Sequence, residues 1–312
     1  MRTRRLGKTG IDVSELSLGT WGLSGDAYGP VPSEEADRVI DRALESGVTL
    51  FDTADVYGKG AMETKLGERL PASAMVVTKL GTRLDVTPPR KVFSPDYLRE
   101  AFDRSRERLR RPCVDVVLLH NPSTTALDDG EAVGFLKALK TLGHIRAWGA
   151  SVGSVDAARA AITRGADVVE LAYNVFVAKD LHALAADLGE HETGVLARSV
   201  LSHGLLTGAW TVDRELPPGD HRAARWTKPE LERRIAQLGA LRPAVGGVIA
   251  SLRSAALRFV LVNDLVSSAV LGPRNAMQLE QLIKDVSIAP PFMLDATLTA
   301  LGKRLEDMGI GP

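Results

Sequence analysis

Short apolar runs alternate with amphipathic stretches along most of the chain. Eight of these runs read as strands: Glu15–Gly19, Thr49–Asp52, Met75–Lys79, Val114–His120, Arg146–Ser151, Val168–Tyr173, Val195–Ser199 and Ser268–Leu271. They are brief and rich in Val, Leu and Ile, the pattern of parallel strands covered on both faces. Between them apolar positions recur at helical spacing, with start and stop signals at the ends. Ser33 before Glu34 and Glu35 predicts an N-cap for a helix over Ala36–Glu45 that Gly47 ends. Ser94-Pro95-Asp96 opens Tyr97–Leu109 with proline in the first turn. Ser154 opens Val155–Arg164, which Gly165 closes, and Asn275 opens Ala276–Lys284.

Eight β/α units in unbroken succession predict an α/β fold, a closed (β/α)8 TIM barrel; a doubly wound open sheet is the competing arrangement. No linker, charge run or low-complexity stretch divides the chain, so one domain over residues 1–312 is expected. One stretch breaks the rhythm. Thr207–Gly247 forms a long loop between the seventh strand and its helix, a β7–α7 loop holding Pro217-Pro218-Gly219, His221, Trp226 and a predicted helix from Pro229 to Leu241. An insertion there lies on the C-terminal face of a barrel, where a lid is expected.

The C-terminal ends of barrel strands are also where chemistry is expected. Asp52 ends the second strand, with Tyr57 following in DTADVYG; Lys79 ends the third in VVTKL; His120 ends the fourth in VVLLHNP. Closure of the barrel would bring all four to one rim. A tyrosine hydroxyl, with its ordinary pKa near 10, donates a proton poorly at neutral pH. A nearby ammonium favours the phenolate, and a carboxylate holds that ammonium charged and in place. A histidine alongside orients or donates to a substrate oxygen. The set suits protonation of an oxygen as charge builds on it, as in carbonyl reduction by hydride. Taken singly, a strand-end lysine reads as solvated and a strand-end histidine as packed. Convergence on one rim is what points to chemistry.

Composition narrows the partners. The chain has 312 residues, 45% hydrophobic, with 39 basic and 39 acidic side chains. That length buries a large core without a disulfide or metal. The charge balance excludes a global footprint for nucleic acid or an anionic membrane. The run Arg104–Arg111 is basic, but Glu107 and helical spacing make it a solvated helix face rather than a nucleic-acid patch. Cys113 stands alone, which excludes an intramolecular disulfide and a cysteine zinc site, and no metal is expected. The basic N-terminus lacks a signal-peptide core, and no window approaches the roughly 18 apolar residues of a spanning helix, so a cytoplasmic protein is expected.

Six segments carry a resemblance: RRLGKTGIDVSELSLGTWG, GVTLFDTADVYGKGAMETKLG, VVTKL, VVLLHNP, RSVLSHGLLTG and LGPRNAMQLEQL, in that order. Along nearly its whole length the chain resembles the aldo-keto reductases. The first segment is similar to that family's opening β-hairpin and first strand. The second matches its first signature, from Gly47 through Asp52 and Tyr57 to Glu63 and Gly67. The resemblance implies hydride transfer from a nicotinamide cofactor, usually NADPH, to an aldehyde or ketone. It makes Tyr57 the general acid, Lys79 and Asp52 the residues that tune it, and His120 the residue that orients the carbonyl. Gly19, Thr20 and Trp21 follow the first strand on the cofactor side, and Trp21 and Asn121 face the substrate. Tyr28, Trp210 and Trp226 lie on neighbouring rim loops.

The resemblance also assigns cofactor contacts, several of them altered here. Ser151 and Glu170 match residues that hold the nicotinamide carboxamide, but Val152 stands where the family has Asn and Glu170 where it has Gln. An ionised Glu170 can accept from the amide but cannot donate. Arg198 takes the place of a stacking aromatic; its planar guanidinium either stacks on the nicotinamide or pairs with Glu170. Ser199, Val200, Leu201, His203 and Gly204 resemble the pyrophosphate loop. Gly272, Arg274 and Gln278 resemble the adenosine phosphate site, where Arg274 suits a 2′-phosphate and favours NADPH over NADH. Gln281-Leu282 replaces an adenine-contacting Glu-Asn pair. A barrel with such a site could instead do non-redox chemistry or act as a cofactor-sensing regulatory protein, because fold does not fix function.

Overall fold

A computed structural model describes residues 1–287, 290 and 292–310. Eight strands form one closed parallel barrel: β1 (Leu16–Gly19), β2 (Leu50–Asp52), β3 (Met75–Leu80), β4 (Val114–His120), β5 (Ile145–Ser151), β6 (Val168–Ala172), β7 (Gly194–Arg198) and β8 (Val266–Leu271). Pairing of Ala269, Val270 and Leu271 with Leu16, Ser17 and Leu18 shuts the sheet. The expected strands are all present, and their ends shift by at most two residues.

The sequence explains the closure. Side chains of the strands are buried inward and outward, as expected for parallel strands with helices outside. Inward, Leu50, Val77, Val116, Leu118, Val168 and Leu196 meet Leu6, Ile11 and Val13 of an antiparallel hairpin, Thr3–Arg5 with Asp12–Ser14. This hairpin plugs the N-terminal floor, and each fully buried aliphatic there stabilises the fold by roughly 1.5–3 kcal/mol. Outward, helices Ser33–Glu45, Ala61–Arg69, Pro95–Leu109, Glu131–Thr141, Val155–Thr163, Leu252–Leu261 and Ala276–Val286 cover the strands. Two glycines are dictated by close approach. A Cβ on Gly149 would lie 1.8 Å from the Val168 carbonyl oxygen in β6, and one on Gly67 would lie 2.2 Å from the Arg108 carbonyl oxygen. Glu63, fully buried, binds Thr78 Oγ1 at 2.5 Å and Arg108 at 2.6 Å, so the Glu63 and Gly67 of the signature segment serve helix docking.

Most caps follow the sequence. Ser154 accepts from the Ala157 amide at 3.3 Å and Asn275 from the Gln278 amide at 2.8 Å. Ser33 does not cap. Pro32, with its extended backbone, holds the cap position, so Ser33 lies inside the helix and its Oγ accepts from Lys65 Nζ at 2.9 Å.

The stretch after β7 departs furthest from the barrel rhythm. A 3-10 turn, Ser202–Thr207, leads to a helix at Lys228–Gln237 that tightens into a second 3-10 turn at Leu238–Ala240. The predicted helix over Pro229–Leu241 thus begins one residue earlier and ends as a tighter coil. Thr227 and Glu230 form its capping box. Leu205, Leu206, Trp210, Leu231, Leu238 and Leu241 pack against Leu301 and Leu305 of a C-terminal helix, Asp295–Asp307. The segment also crosses the barrel mouth: Asp220 bridges to Tyr28, and the His221 amide donates to the Ala27 carbonyl at 2.8 Å.

Candidate active site

The mouth opposite the plug collects the strand-end polar residues. Asp52 ends β2, Lys79 lies one residue from the end of β3, and His120 ends β4. Tyr57 opens a turn after β2, where its amide donates to Ala54 at 3.1 Å. Gly58, Lys59 and Gly60 then run at positive φ, reversing the chain beneath the tyrosine. Asp26 accepts from the Gly58 amide at 2.9 Å and pins that turn to the loop after β1.

Lys79 is the hub. Its Nζ donates to Asp52 Oδ2 at 2.5 Å and to the Thr53 carbonyl at 3.1 Å. A second carboxylate, Glu170 Oε2 from β6, lies 3.2 Å away across the barrel. Lys79 is 1% exposed, Asp52 4% and Glu170 2%, so solvent does little to screen these charges. The Tyr57 ring stands 5.4 Å from Nζ, and the His120 ring meets it edge-on at 6.2 Å between centroids. Trp21 stacks on the other side of Tyr57, also at 6.2 Å.

Burial and charge set the protonation states. Burial works against the Lys79 ammonium, but Asp52 and Glu170 outweigh it and raise its pKa. Asp52 is pushed up to about 8, first by burial and then by Glu170, against the opposing pull of Lys79. Burial raises the Tyr57 phenol well above 10.0; Lys79 pulls it down while Asp52 and Glu170 push it up. The expected net lowering of Tyr57 by its lysine is therefore overridden, first by burial and then by the two carboxylates that share that ammonium. Burial, Lys91, Lys79 and Arg198 hold His120 well below 6.5, and its Nδ1 is buried without a partner. A neutral imidazole carries one N–H donor.

The remaining expected residues form an arc from β5 to β8. Ser151 Oγ donates to Glu170 Oε1 at 3.3 Å, and Arg198 Nε lies 3.8 Å from the same oxygen. Arg198 also donates to the Val152 carbonyl at 2.8 Å, and a third of its side chain is exposed to the mouth. Ser199, Ser202 and His203 have φ of 55°, 46° and 57°, which folds the loop tightly with Gly204. Val200 is buried in the core, Leu201 is half-buried, and His203 Nδ1 meets the Tyr28 hydroxyl at 3.2 Å. Thr20 spends its hydroxyl on the Asp52 carbonyl at 2.9 Å, and Gly19 packs closely on Val270. Asn121, with φ 55°, donates its amide to the Ser151 carbonyl at 2.8 Å.

At the β8 end, Arg274 donates to the Gly29 and Pro30 carbonyls at 3.0 and 3.1 Å, and its buried Nε has no partner. Gly272 lies beside Gly22, and Gln278 accepts from the Arg274 amide at 2.9 Å. The amide of Ala276, first in its helix, donates to Glu35 at 2.8 Å, so a carboxylate already takes one of the free donors at that helix end. Gln281 accepts from Arg253 at 2.8 Å, and Leu282 is a core residue.

Comparison with known proteins decides the family. The model described as the Aldo/keto reductase family matches residues 15–290. The chain belongs to that family. It is 30% identical over 317 aligned residues to the L-galactose dehydrogenase of Arabidopsis thaliana, covering 97% of this chain and 94% of that one. It is 27% identical to the uncharacterized oxidoreductase YqkF of Bacillus subtilis, covering 93% and 91%. Among solved structures, a glycerol dehydrogenase from Gluconobacter oxydans superposes with a TM-score of 0.83 at 27% identity, covering 99% and 97%. The holo form of an aldo-keto reductase from Bacillus halodurans gives 0.81 at 24%, covering 97% and 96%, a likeness of fold. This aldo/keto reductase accordingly belongs to a family of oxidoreductases, which typically use nicotinamide cofactors.

Some contacts at the mouth were invisible in the sequence. A small hairpin after β3, Thr82–Arg83 with Arg90–Lys91, brings Lys91 Nζ to the His120 carbonyl at 2.6 Å. His221 reaches Trp21 at 4.8 Å between centroids through the crossing segment. Neither contact has a local pattern to announce it. The reach of Glu170 to Lys79 carried only one hint, an acidic residue in a strand buried on both faces.

Proposed function

We propose that this aldo/keto reductase reduces an aldehyde or ketone to its alcohol with NADPH, using Tyr57 as the general acid. The observation that carries the proposal is the buried Asp52–Lys79 pair beneath Tyr57, with neutral His120 facing the same ring. The nicotinamide, when bound, supplies the hydride. Tyr57 gives its phenolic proton to the carbonyl oxygen as negative charge develops there. Lys79 stabilises the phenolate left behind, Asp52 holds Lys79, and the N–H of His120 orients the carbonyl oxygen. Trp21 and Asn121 bound the substrate space, and the segment 207–247 serves as its lid on the single domain.

The arc supports a nicotinamide dinucleotide. Glu170 Oε2 faces Lys79 at 3.2 Å but makes no hydrogen bond, so it keeps the capacity to accept from a carboxamide, with Ser151 beside it. The guanidinium of Arg198, on a side chain one-third exposed, offers a flat surface at the mouth. The tight loop from Ser199 to Gly204 suits the pyrophosphate, and Arg274, with Nε unpartnered, suits a 2′-phosphate. One observation favours NADH instead: Glu35 at the neighbouring helix end would repel that phosphate.

Arg274→Ala separates the two cofactors. Loss of a charge-assisted hydrogen bond of about 1.5–3 kcal/mol predicts roughly tenfold to hundredfold weaker NADPH, with NADH little changed, in fluorescence titrations. Equal losses for both would refute the 2′-phosphate role.

A further inference from the structure

Glu170 does more at this site than face a carboxamide. Its two oxygens contact different cations: Oε2 lies 3.2 Å from Lys79 Nζ, while Oε1 lies 3.8 Å from Arg198 and accepts from Ser151. The Lys79 ammonium is therefore held between two carboxylates, Asp52 at 2.5 Å on β2 and Glu170 on β6. An Asp52–Lys79 pair alone would be neutral. Once Asp52 has lost its proton, above about pH 8, two carboxylates face one ammonium, and Arg198 offsets the second only in part because it is a third exposed and shared with the Val152 carbonyl. The groups facing Tyr57 and its network are Asp52 from β2, Lys79 from β3, His120 from β4, Glu170 from β6 and Arg198 from β7, with Lys91 behind His120. His120 is neutral, and Lys91 behind it is exposed and spent on the His120 carbonyl, so that side does little to restore the balance.

We propose that Glu170 is a positioning residue for proton transfer: by engaging the second side of Lys79, it withholds the ammonium's charge from Tyr57 and keeps the phenol protonated into alkaline solution. A second carboxylate near a phenol disfavours its ionisation, whereas an unshared ammonium favours it. Tyr57 is thereby retained as a proton donor over a wider pH range, at the expense of accepting a proton from an alcohol. The consequence for turnover rests on the reductase reading; the consequence for Tyr57 ionisation does not.

The test is the ionisation of Tyr57 in the cofactor-free protein. Phenolate difference absorbance is recorded against pH for the wild type minus Tyr57→Phe, and for Glu170→Gln minus the Glu170→Gln/Tyr57→Phe double variant. Glu170→Gln keeps the shape and can still accept from Ser151, but removes the charge. Tyr57 phenolate is expected to appear at a pH lower by about one unit in Glu170→Gln, and Glu170→Asp, which restores the charge, should return its onset toward the wild type. Should Glu170→Gln fail to fold, Glu170→Met carries the same prediction. An unchanged onset in the charge-free variant, even with weaker cofactor binding or a lower Tm, would overturn the proposal. In turnover, the alkaline limb of kcat/KM for carbonyl reduction should fall to lower pH by a similar amount. Absence of turnover in the wild type would count against the reductase reading and leave the ionisation result to judge Glu170.

Discussion

Tyr57→Phe is expected to lose about 10²–10⁴-fold in carbonyl reduction, the usual worth of a positioned general acid. The change removes a single oxygen from a ring packed between Trp21 and His120, at 6.2 Å from each. Ring packing survives, and burial already keeps the hydroxyl neutral, so no buried charge is uncovered. Cofactor affinity should stay within a few-fold of the wild type, because Tyr57 is not among the assigned cofactor contacts, which are Gly19, Thr20, Trp21 and Asp52 together with the arc from Ser151 to Gln281. The loss should fall on kcat as well as kcat/KM, since the proton is needed only as charge develops on the oxygen. Steady-state rates together with a cofactor titration check both halves. Retention of activity would remove Tyr57 from the chemistry.

The second large effect concerns stability. Lys79→Ala leaves Asp52 and Glu170 buried without the cation they share. Breaking a buried pair by removing one partner costs about 3–5 kcal/mol, a large part of a typical domain's margin. The deficit should depend on pH with a definite sign. Asp52 already holds its proton more tightly in the folded chain, at about 8 against an ordinary 3.8, and loss of Lys79 removes the cation that pulls it down. The folded variant therefore binds more protons than the unfolded chain across that window, and its stability falls as pH rises through it. Because wild-type Asp52 also keeps its proton below about 8, the two proteins diverge above that pH, and thermal unfolding at pH 6 and pH 9.5 should show the variant closest to the wild type at the lower pH. A deficit that is the same at both pH values would mean that uncompensated carboxylates are not its cause.

Much of this was readable along the chain because the relevant physics is local. Strands buried on both faces lack alternation, and the eight runs with that character are the eight barrel strands. Their ends carry Asp52, Lys79 and His120, so the rim followed from closure alone. Ser33 misled because Pro32 sets an extended entry residue and takes the cap position. The hairpin bearing Lys91 consists of two-residue polar strands, too short to show a period. The packing of Leu231, Leu238 and Leu241 on the helix Asp295–Asp307 joins segments far apart in sequence, as does the grip of Glu170 on Lys79. Glu170 was marked as a departure beside Arg198, and the ion pair between them is present at 3.8 Å. Its closer approach to Lys79 depends on which residues face one another across the barrel, and that comes from strand register rather than from spacing.

The central claim is tested most directly by mixing the protein with NADPH and a panel of aldehydes and ketones while following nicotinamide fluorescence and absorbance. The account predicts binding of NADPH to the wild type and to Tyr57→Phe alike, and oxidation of the cofactor by at least one carbonyl with the wild type alone. Failure of NADPH and NADH to bind even at millimolar concentration would contradict it.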